Sequence, residues 1–177
     1  MLADRIAASL VSIPDFPTPG VLFRDLAGIY ADPELFGAAV TELSRRFAER
    51  FDAVLAIEAR GFVLGAALAR HAARPLILAR KPGRLPGEVL EESYSLEYGT
   101  NTLQIGRQAV FPGTRVLIVD DLLATGGTFA AAARLVTAAG GTVAGMATLV
   151  SLAGLGADRT LAGQEVASLC DVPAAGF

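Results

Sequence analysis

One segment of the sequence combines residue types that point to chemistry. Arg115-Val-Leu-Ile-Val119 ends in two adjacent carboxylates, Asp120 and Asp121. Packing gains nothing from that pair, and side by side the charges repel. Ala124, Thr125, Gly126, Gly127 and Thr128 follow, with two glycines and two hydroxyls opening a helical pattern. Glycine lets several backbone N–H groups turn toward one point. A helix N-terminus adds partial positive charge, which makes the loop a phosphate cradle. The carboxylates beside it suit sugar hydroxyls or Mg²⁺. The simplest ligand for both halves is a phosphorylated ribose. Walker and dinucleotide fingerprints are both absent.

Two further segments carry candidate chemistry. Glu58-Ala-Arg-Gly61 is a second turn from an apolar strand into a helix, and Arg60 can grip phosphate oxygens with its planar fork. Residues 80–101 gather Arg80, Lys81 and Arg84, then four acids at 88, 91, 92 and 97, and tyrosines at 94 and 98. So long a glycine- and proline-bearing polar stretch inside a compact domain is usually functional. A solvated β-hairpin is the plainer alternative.

The elements that must hold these loops follow from hydropathy. Three units start with an apolar strand: 53–57 leading to a helix at 62–72, 74–79 leading to the polar stretch, and 115–119 leading to a helix at 129–139. A fourth strand is expected at 142–150 and a preceding helix at 33–51. Continuous apolar strands imply a sheet covered on both faces, and strand–helix alternation implies parallel pairing. The expected fold is therefore α/β, a parallel twisted sheet flanked by helices, in a single domain over 1–177. The strands' carboxyl ends place 58–61, 80–98 and 120–128 on one rim. The N-terminus reads as an amphipathic helix with Leu2, Ile6, Leu10 and Ile13 near one face. Residues 13–25, with three prolines and one glycine, read as a rigid extended loop anchored by Phe16 and Phe23.

Composition sets limits. The chain has 177 residues, 53% hydrophobic and 19% charged, with a net charge of −3. That excludes disorder and speaks against a general nucleic-acid-binding surface. Cys170 is the one cysteine and His71 the one histidine, so disulfides, cysteine-rich zinc sites and histidine-cluster metal catalysis are not expected. Residues 135–157 carry no charge, but Gly140-Gly141 divides them into a helix end and a buried strand, not a membrane span. A cytoplasmic protein is expected. Of 15 basic residues only Lys81 is lysine; the Arg excess fits a GC-rich coding bias.

The order of these motifs resembles the adenine branch of the type I phosphoribosyltransferases. Phe16-Pro-Thr-Pro-Gly-Val-Leu-Phe-Arg-Asp25, Glu58-Ala-Arg-Gly-Phe62, Tyr94-Ser-Leu-Glu-Tyr-Gly99 and Val119-Asp-Asp-Leu-Leu-Ala-Thr-Gly-Gly-Thr128 carry the likeness, which covers roughly residues 5–150. It implies transfer of ribose 5-phosphate from phosphoribosyl diphosphate (PRPP) to N9 of adenine, giving AMP and pyrophosphate. It also implies Mg²⁺ held mainly through pyrophosphate, with Asp120 and Asp121 as further candidates, and a homodimer. An N-terminal hood, roughly residues 1–30, would hold adenine through backbone groups near Leu22 and Arg24, with Phe23 and Leu122 sandwiching the ring. A mobile lid over roughly 80–101 would supply Lys81, with Arg80 and Arg84 as weaker candidates, for pyrophosphate. Glu97 would act as acid or base and Tyr98 would shape the closed site. Asp158-Arg159 departs from the Gly-Arg-Glu order the family tends toward, and residues 151–177 receive no chemistry. Two other readings stay open: transfer to another purine base, and a PRPP- or nucleotide-sensing regulator on the same fold. Pyrophosphate release from PRPP plus adenine separates them.

Overall fold

In a computed structural model of the chain, residues 1–95 and 100–174 are described. The elements are α1 (Leu2–Ser9), β1 (Val11–Ile13), β2 (Phe23–Asp25), α2 (Ala27–Ala31), α3 (Pro33–Arg46), β3 (Ala53–Ile57), α4 (Gly61–His71) and β4 (Leu76–Ala79). Then follow β5 (Val89–Ser95), β6 (Thr100–Gly106), β7 (Arg115–Val119), β8 (Leu122–Leu123), α5 (Gly127–Ala138), β9 (Thr142–Ala153), α6 (Ala157–Thr160) and β10 (Val166–Pro173).

The main sheet is parallel, in the order β10-β9-β7-β3-β4, with the short β8 added beside β9. Residues of β3 and β7 alternate between two cores, as a sheet covered on both faces requires. Val54, Leu117 and Val119 face α1 to α4, where Ile6, Leu43, Phe47, Leu64 and Leu68 are buried. Leu55, Ile57, Val116 and Ile118 face α5 and the β5–β6 hairpin, against Phe129, Leu135, Leu103 and Ile105. Strand order reverses between β3 and β7: β4 lies beyond β3 on one side, and β7, β9 and β10 extend on the other. The crevice outside the carboxyl ends of strands at such a reversal is the usual ligand position.

Several boundaries differ from the sequence reading. α1 stops at Ser9 because Leu10 turns extended, at φ −78° and ψ 132°. Pro14 disfavours helix at Ile13, which instead ends β1 and is 37% exposed. The stretch 13–25 is not wholly loop, since β1 and β2 pair antiparallel, Ile13 opposite Phe23. α3 ends at Arg46, short of 51, and Glu49 takes a left-handed φ of 61° before the chain enters β3. The polar stretch contains a hairpin, with β5 and β6 registered from Val89–Gly106 to Ser95–Thr100. β9 runs three residues past 150, and the tail contributes α6 and the outer strand β10. Cys170 is buried in β10 as a free thiol, and His71 closes α4 on the surface. Among the described residues no helix is long and apolar enough to cross a membrane.

Candidate active site

Adjacent strands bring three rim loops together. Ile57 pairs with Ala79, and Ala56 with Val119, so the turns after β4, β3 and β7 emerge side by side. The acid pair follows β7 directly. Its backbone is fixed by β9: the Asp120 N–H donates to Ala147 O, and the N–H groups of Leu149 and Val150 donate to Asp121 O. The Asp121 N–H donates to Asp120 Oδ1 at 2.9 Å. Gly61 lies so close that a Cβ there would sit 2.7 Å from Asp120 Oδ1. Only glycine lets the turn after β3 approach the acid pair this tightly.

Burial, and then the Asp121 charge, push the Asp120 carboxyl well above the usual carboxylate range. Burial likewise raises Asp121, and Arg60 opposes that rise. Arg60 Nε stands 2.9 Å from Asp121 Oδ2, with the Arg60 side chain 43% exposed and Asp121 only 3%. The Arg60 guanidinium also lies over the Phe23 ring, 5.2 Å from its centre. Phe23 in turn meets Phe16 edge-on at 5.1 Å, although Phe16 is half exposed. The hood and the turn after β3 thus share one arginine.

Leu122, Ala124, Thr125, Gly127 and Thr128 are half-buried and Gly126 is buried. Gly126 caps α5 at φ +84°, and α5 has neither a side-chain cap nor an acid in its first turn. Its first intrahelical donor in the turn is Ala130 N–H to Gly126 O. The earlier N–H groups are the ones a helix leaves for an outside acceptor. The turn that the sequence reading assigned to a 5-phosphate is thus a glycine-capped helix start, with the Gly127 N–H donating to Thr125 Oγ1 at 3.5 Å.

On the β4 side, Glu58 is the residue the sequence reading quoted but gave no role. Its carboxylate accepts from Arg80 Nη2 at 3.0 Å and from the Lys81 backbone N–H at 2.8 Å. Those bonds, the Arg80 side chain first, hold it below the usual carboxylate range. Arg80 also donates to Arg84 O at 2.8 Å and lies over the Phe62 ring at 5.9 Å. Arg80 is thus a clamp within the protein. The Lys81 and Arg84 side chains are exposed on the same rim. The signal for Glu58 was its place as the one acid between a buried strand and a glycine-started helix.

In the hood, Leu22 and Phe23 are half-buried. Arg24 is 3% exposed, and its guanidinium is bonded to Ser12 Oγ and to Pro173 O of β10. Its side chain thus ties hood to sheet. Glu97 and Tyr98 lie outside the described residues.

Among the described residues no three acids, histidines or cysteines cluster to hold a metal. The residues present still fit Mg²⁺, which is commonly held by one or two carboxylates plus substrate phosphates. Asp120 and Asp121 provide those carboxylates.

An acid pair at the strand reversal, backed by a glycine-capped N–H cradle, defines a phosphoribosyl-binding α/β protein. The profile of the phosphoribosyl transferase domain matches residues 29–167. The adenine phosphoribosyltransferase of Aeromonas salmonicida is 46% identical over 170 residues, covering 94% of each chain. The crystal structure of the Thermoanaerobacter pseudethanolicus adenine phosphoribosyltransferase superposes with a TM-score of 0.93 at 42% identity, over 97% of this chain and 100% of that one. The Saccharomyces cerevisiae enzyme, solved with adenine and an imino-altritol bisphosphate, gives a TM-score of 0.88 at 33% identity, over 95% and 98%. The chain belongs to the adenine phosphoribosyltransferase family.

Proposed function

We propose that the three rim loops divide the work of adenine phosphoribosyl transfer. The reaction is that of purine salvage: adenine and PRPP form AMP, and pyrophosphate leaves. The observation that carries the reading is the acid pair beside the α5 N-terminus, which together suit a ribose bearing a 5-phosphate.

The backbone of 124–128 holds the 5-phosphate, with the Thr125 and Thr128 hydroxyls beside it. Asp120 and Asp121 accept hydrogen bonds from the ribose hydroxyls. Arg60 and Lys81 face the pyrophosphate and stabilise the charge it gains on leaving. Arg80 acts behind them by fixing Glu58, while Arg84 is a secondary phosphate candidate. Bound Mg²⁺ supplies charge neutralisation on the leaving group, with Asp120 and Asp121 as its protein ligands. Phe23 and Leu122 flank the adenine ring, and peptide groups near Leu22 and Arg24 read its edge. A base lacking the 6-amino pattern leaves buried groups unpaired, which discriminates strongly. Glu97 moves the proton at the purine nitrogens, and Tyr98 completes the closed site. The lid over 80–101 excludes water, which would otherwise hydrolyse PRPP.

The reading extends to a single domain acting in the cytoplasm as a homodimer. Exposed Leu76 and Leu78 of β4, the outer strand of the sheet, and exposed Val63 of α4 support an apolar contact between copies; sizing chromatography tests it. The activity is tested by pyrophosphate and AMP formation from PRPP and adenine with Mg²⁺. Competing hypoxanthine, guanine and xanthine test the base. Glu97→Gln is expected to cut turnover by roughly 10²-fold or more while sparing PRPP binding. Unchanged turnover removes Glu97 from the chemistry.

A further inference from the structure

Among residues 11–25, all of them described, Arg24 is the one that is buried, at 3% exposure. Around it Val11, Ile13, Phe16 and Val21 are exposed. β1 and β2 form a two-stranded sheet of their own, and such a pair is marginally stable in water without outside support. The apolar anchors lie on either side of it, at Ile6 and Leu26. Within it the hold is polar. Arg24 stands opposite Ser12 in the β1–β2 register, and its Nη1 donates to Ser12 Oγ. Its Nη2 donates to Pro173 O at 2.9 Å. Pro173 ends β10, the outer strand of the main sheet. One guanidinium thus spans two acceptors from segments far apart in sequence.

A buried arginine is costly unless it is well bonded, and an apolar residue would fill the same space without that cost. What the arginine adds is direction. Two charge-assisted bonds in a rigid fork fix both distance and angle, which an apolar contact leaves free. Consecutive side chains of a strand point to opposite faces. Fixing Arg24 toward β10 therefore aims Phe23 the other way, where the Arg60 guanidinium lies over its ring at 5.2 Å. The peptide groups that flank Phe23 are held by the same two contacts. Readout by such groups needs them within about 0.5 Å of the productive position. We propose that the Arg24 side chain is the positioning residue of the base site: through Ser12 Oγ and Pro173 O it sets the β2 backbone that reads the adenine edge, and with it the discrimination between 6-amino and 6-oxo purines. The tail strand β10 thereby takes part in base selection through one carbonyl.

The inference rests on the proposed reading of the hood as the adenine site, and its test separates the two. Arg24→Lys keeps the charge and loses the planar fork. Initial rates are measured with adenine and PRPP each varied, then with hypoxanthine, alongside Tm. The KM for adenine is expected to rise roughly tenfold, the scale of one charge-assisted hydrogen bond. The KM for PRPP stays within about twofold, and the adenine-to-hypoxanthine ratio of kcat/KM falls roughly tenfold. Ser12→Ala, at an exposed position, removes one of the two acceptors. It should raise the KM for adenine roughly threefold, and it decides the matter if Arg24→Lys does not fold. A merely structural arginine gives a different result: Tm and kcat fall as the active fraction shrinks, and both KM values stay put. That result overturns the inference, as does an equal rise in both KM values. Phe23→Ala tests the reading beneath it. If Phe23→Ala raises the KM for adenine while Arg24→Lys and Ser12→Ala leave it at the wild-type value, the role of Arg24 falls and the hood remains the base site. An adenine KM unmoved by Phe23→Ala, or a wild-type chain that forms no AMP, overturns the hood reading and the inference with it.

Discussion

Glu58 and Asp121 follow neighbouring parallel strands, each faces an arginine, and their surroundings are opposite. Glu58 is closed: Arg80 and the Lys81 N–H satisfy both oxygens, and its carboxyl is held down. The Asp120–Asp121 pair is strained electrostatically: burial pushes both carboxyls up, the Asp121 charge adds to the rise at Asp120, and Arg60 offsets this only in part. A satisfied carboxylate is what a scaffold needs. A destabilised pair is what a ligand with hydroxyls and cations can relieve. The difference teaches which acid holds the site together and which is kept for substrate.

The largest effect should come from the strained corner. Asp120→Asn keeps the oxygen that accepts from Asp121 N–H and removes the charge. Turnover is expected to fall roughly 10²- to 10³-fold, the scale for losing a preorganised polar group at a reacting centre. Stability should move the other way, with Tm at pH 7 rising by about 2–4 °C, as about 1 kcal/mol does at this size. The sign follows from linkage. A carboxyl whose folded value is raised stabilises the fold at low pH and loses that contribution as pH climbs through the folded value. The variant's advantage should therefore fade below about pH 4, where the unfolded carboxyl is protonated too. A Tm loss at pH 7 would break the contrast.

Next in size is Lys81→Ala. The side chain is exposed and its backbone N–H, which Glu58 holds, survives the change. The KM for PRPP should rise roughly tenfold through loss of one charge-assisted contact, with stability within about 0.5 kcal/mol of wild type. An unchanged KM removes Lys81 from the site. Glu58→Gln probes the corner itself. It leaves Arg80 without its anion, so stability should drop by about 1–2 kcal/mol and the KM for PRPP rise roughly threefold as Lys81 loses its anchor. A lowered carboxyl stabilises above its unfolded value and loses that contribution as pH falls through the folded one. The gap between variant and wild type should thus persist at neutral pH and narrow in strong acid; a gap that widens in acid contradicts the clamp.

The acid pair and the loop after it were legible in the sequence because they are local, whereas the approach of Arg60 and Gly61 to them depends on β3 pairing with β7. An apolar strand, two acids and Ala124 to Thr128 are contiguous, and the strand–loop–helix pattern fixes where they sit. The closed corner was half legible. Arg80 and Lys81 drew attention as charges, but their tie to Glu58 crosses 22 and 23 positions and depends on β3 pairing with β4. The tail was missed differently. β10 mixes buried Leu169, Cys170 and Val172 with exposed Asp171 and Pro173, so it lacks the unbroken apolar run that marks the central strands. Its worth shows only in the fold, where Pro173 O holds Arg24 of the hood.

The smallest expected effect makes the sharpest test of how the basic cluster divides. Arg80, Lys81 and Arg84 read alike in sequence, as three cations at the start of one polar stretch. The structure separates them by which atoms are used. Arg84 contributes its carbonyl, which accepts from Arg80, and alanine keeps that carbonyl. Its guanidinium is exposed, and no ion pair engages it among the described residues. Arg84→Ala should therefore change the KM for PRPP by less than about twofold and stability by less than about 0.5 kcal/mol, the range for an exposed side chain away from special contacts. Arg80→Ala in parallel should cost more in Tm than Arg84→Ala, because it leaves Glu58 half-buried with one oxygen unpaired. If Arg84→Ala instead weakens PRPP tenfold, its side chain reaches the pyrophosphate. The cluster would then act as three phosphate ligands, not one ligand resting on a clamp.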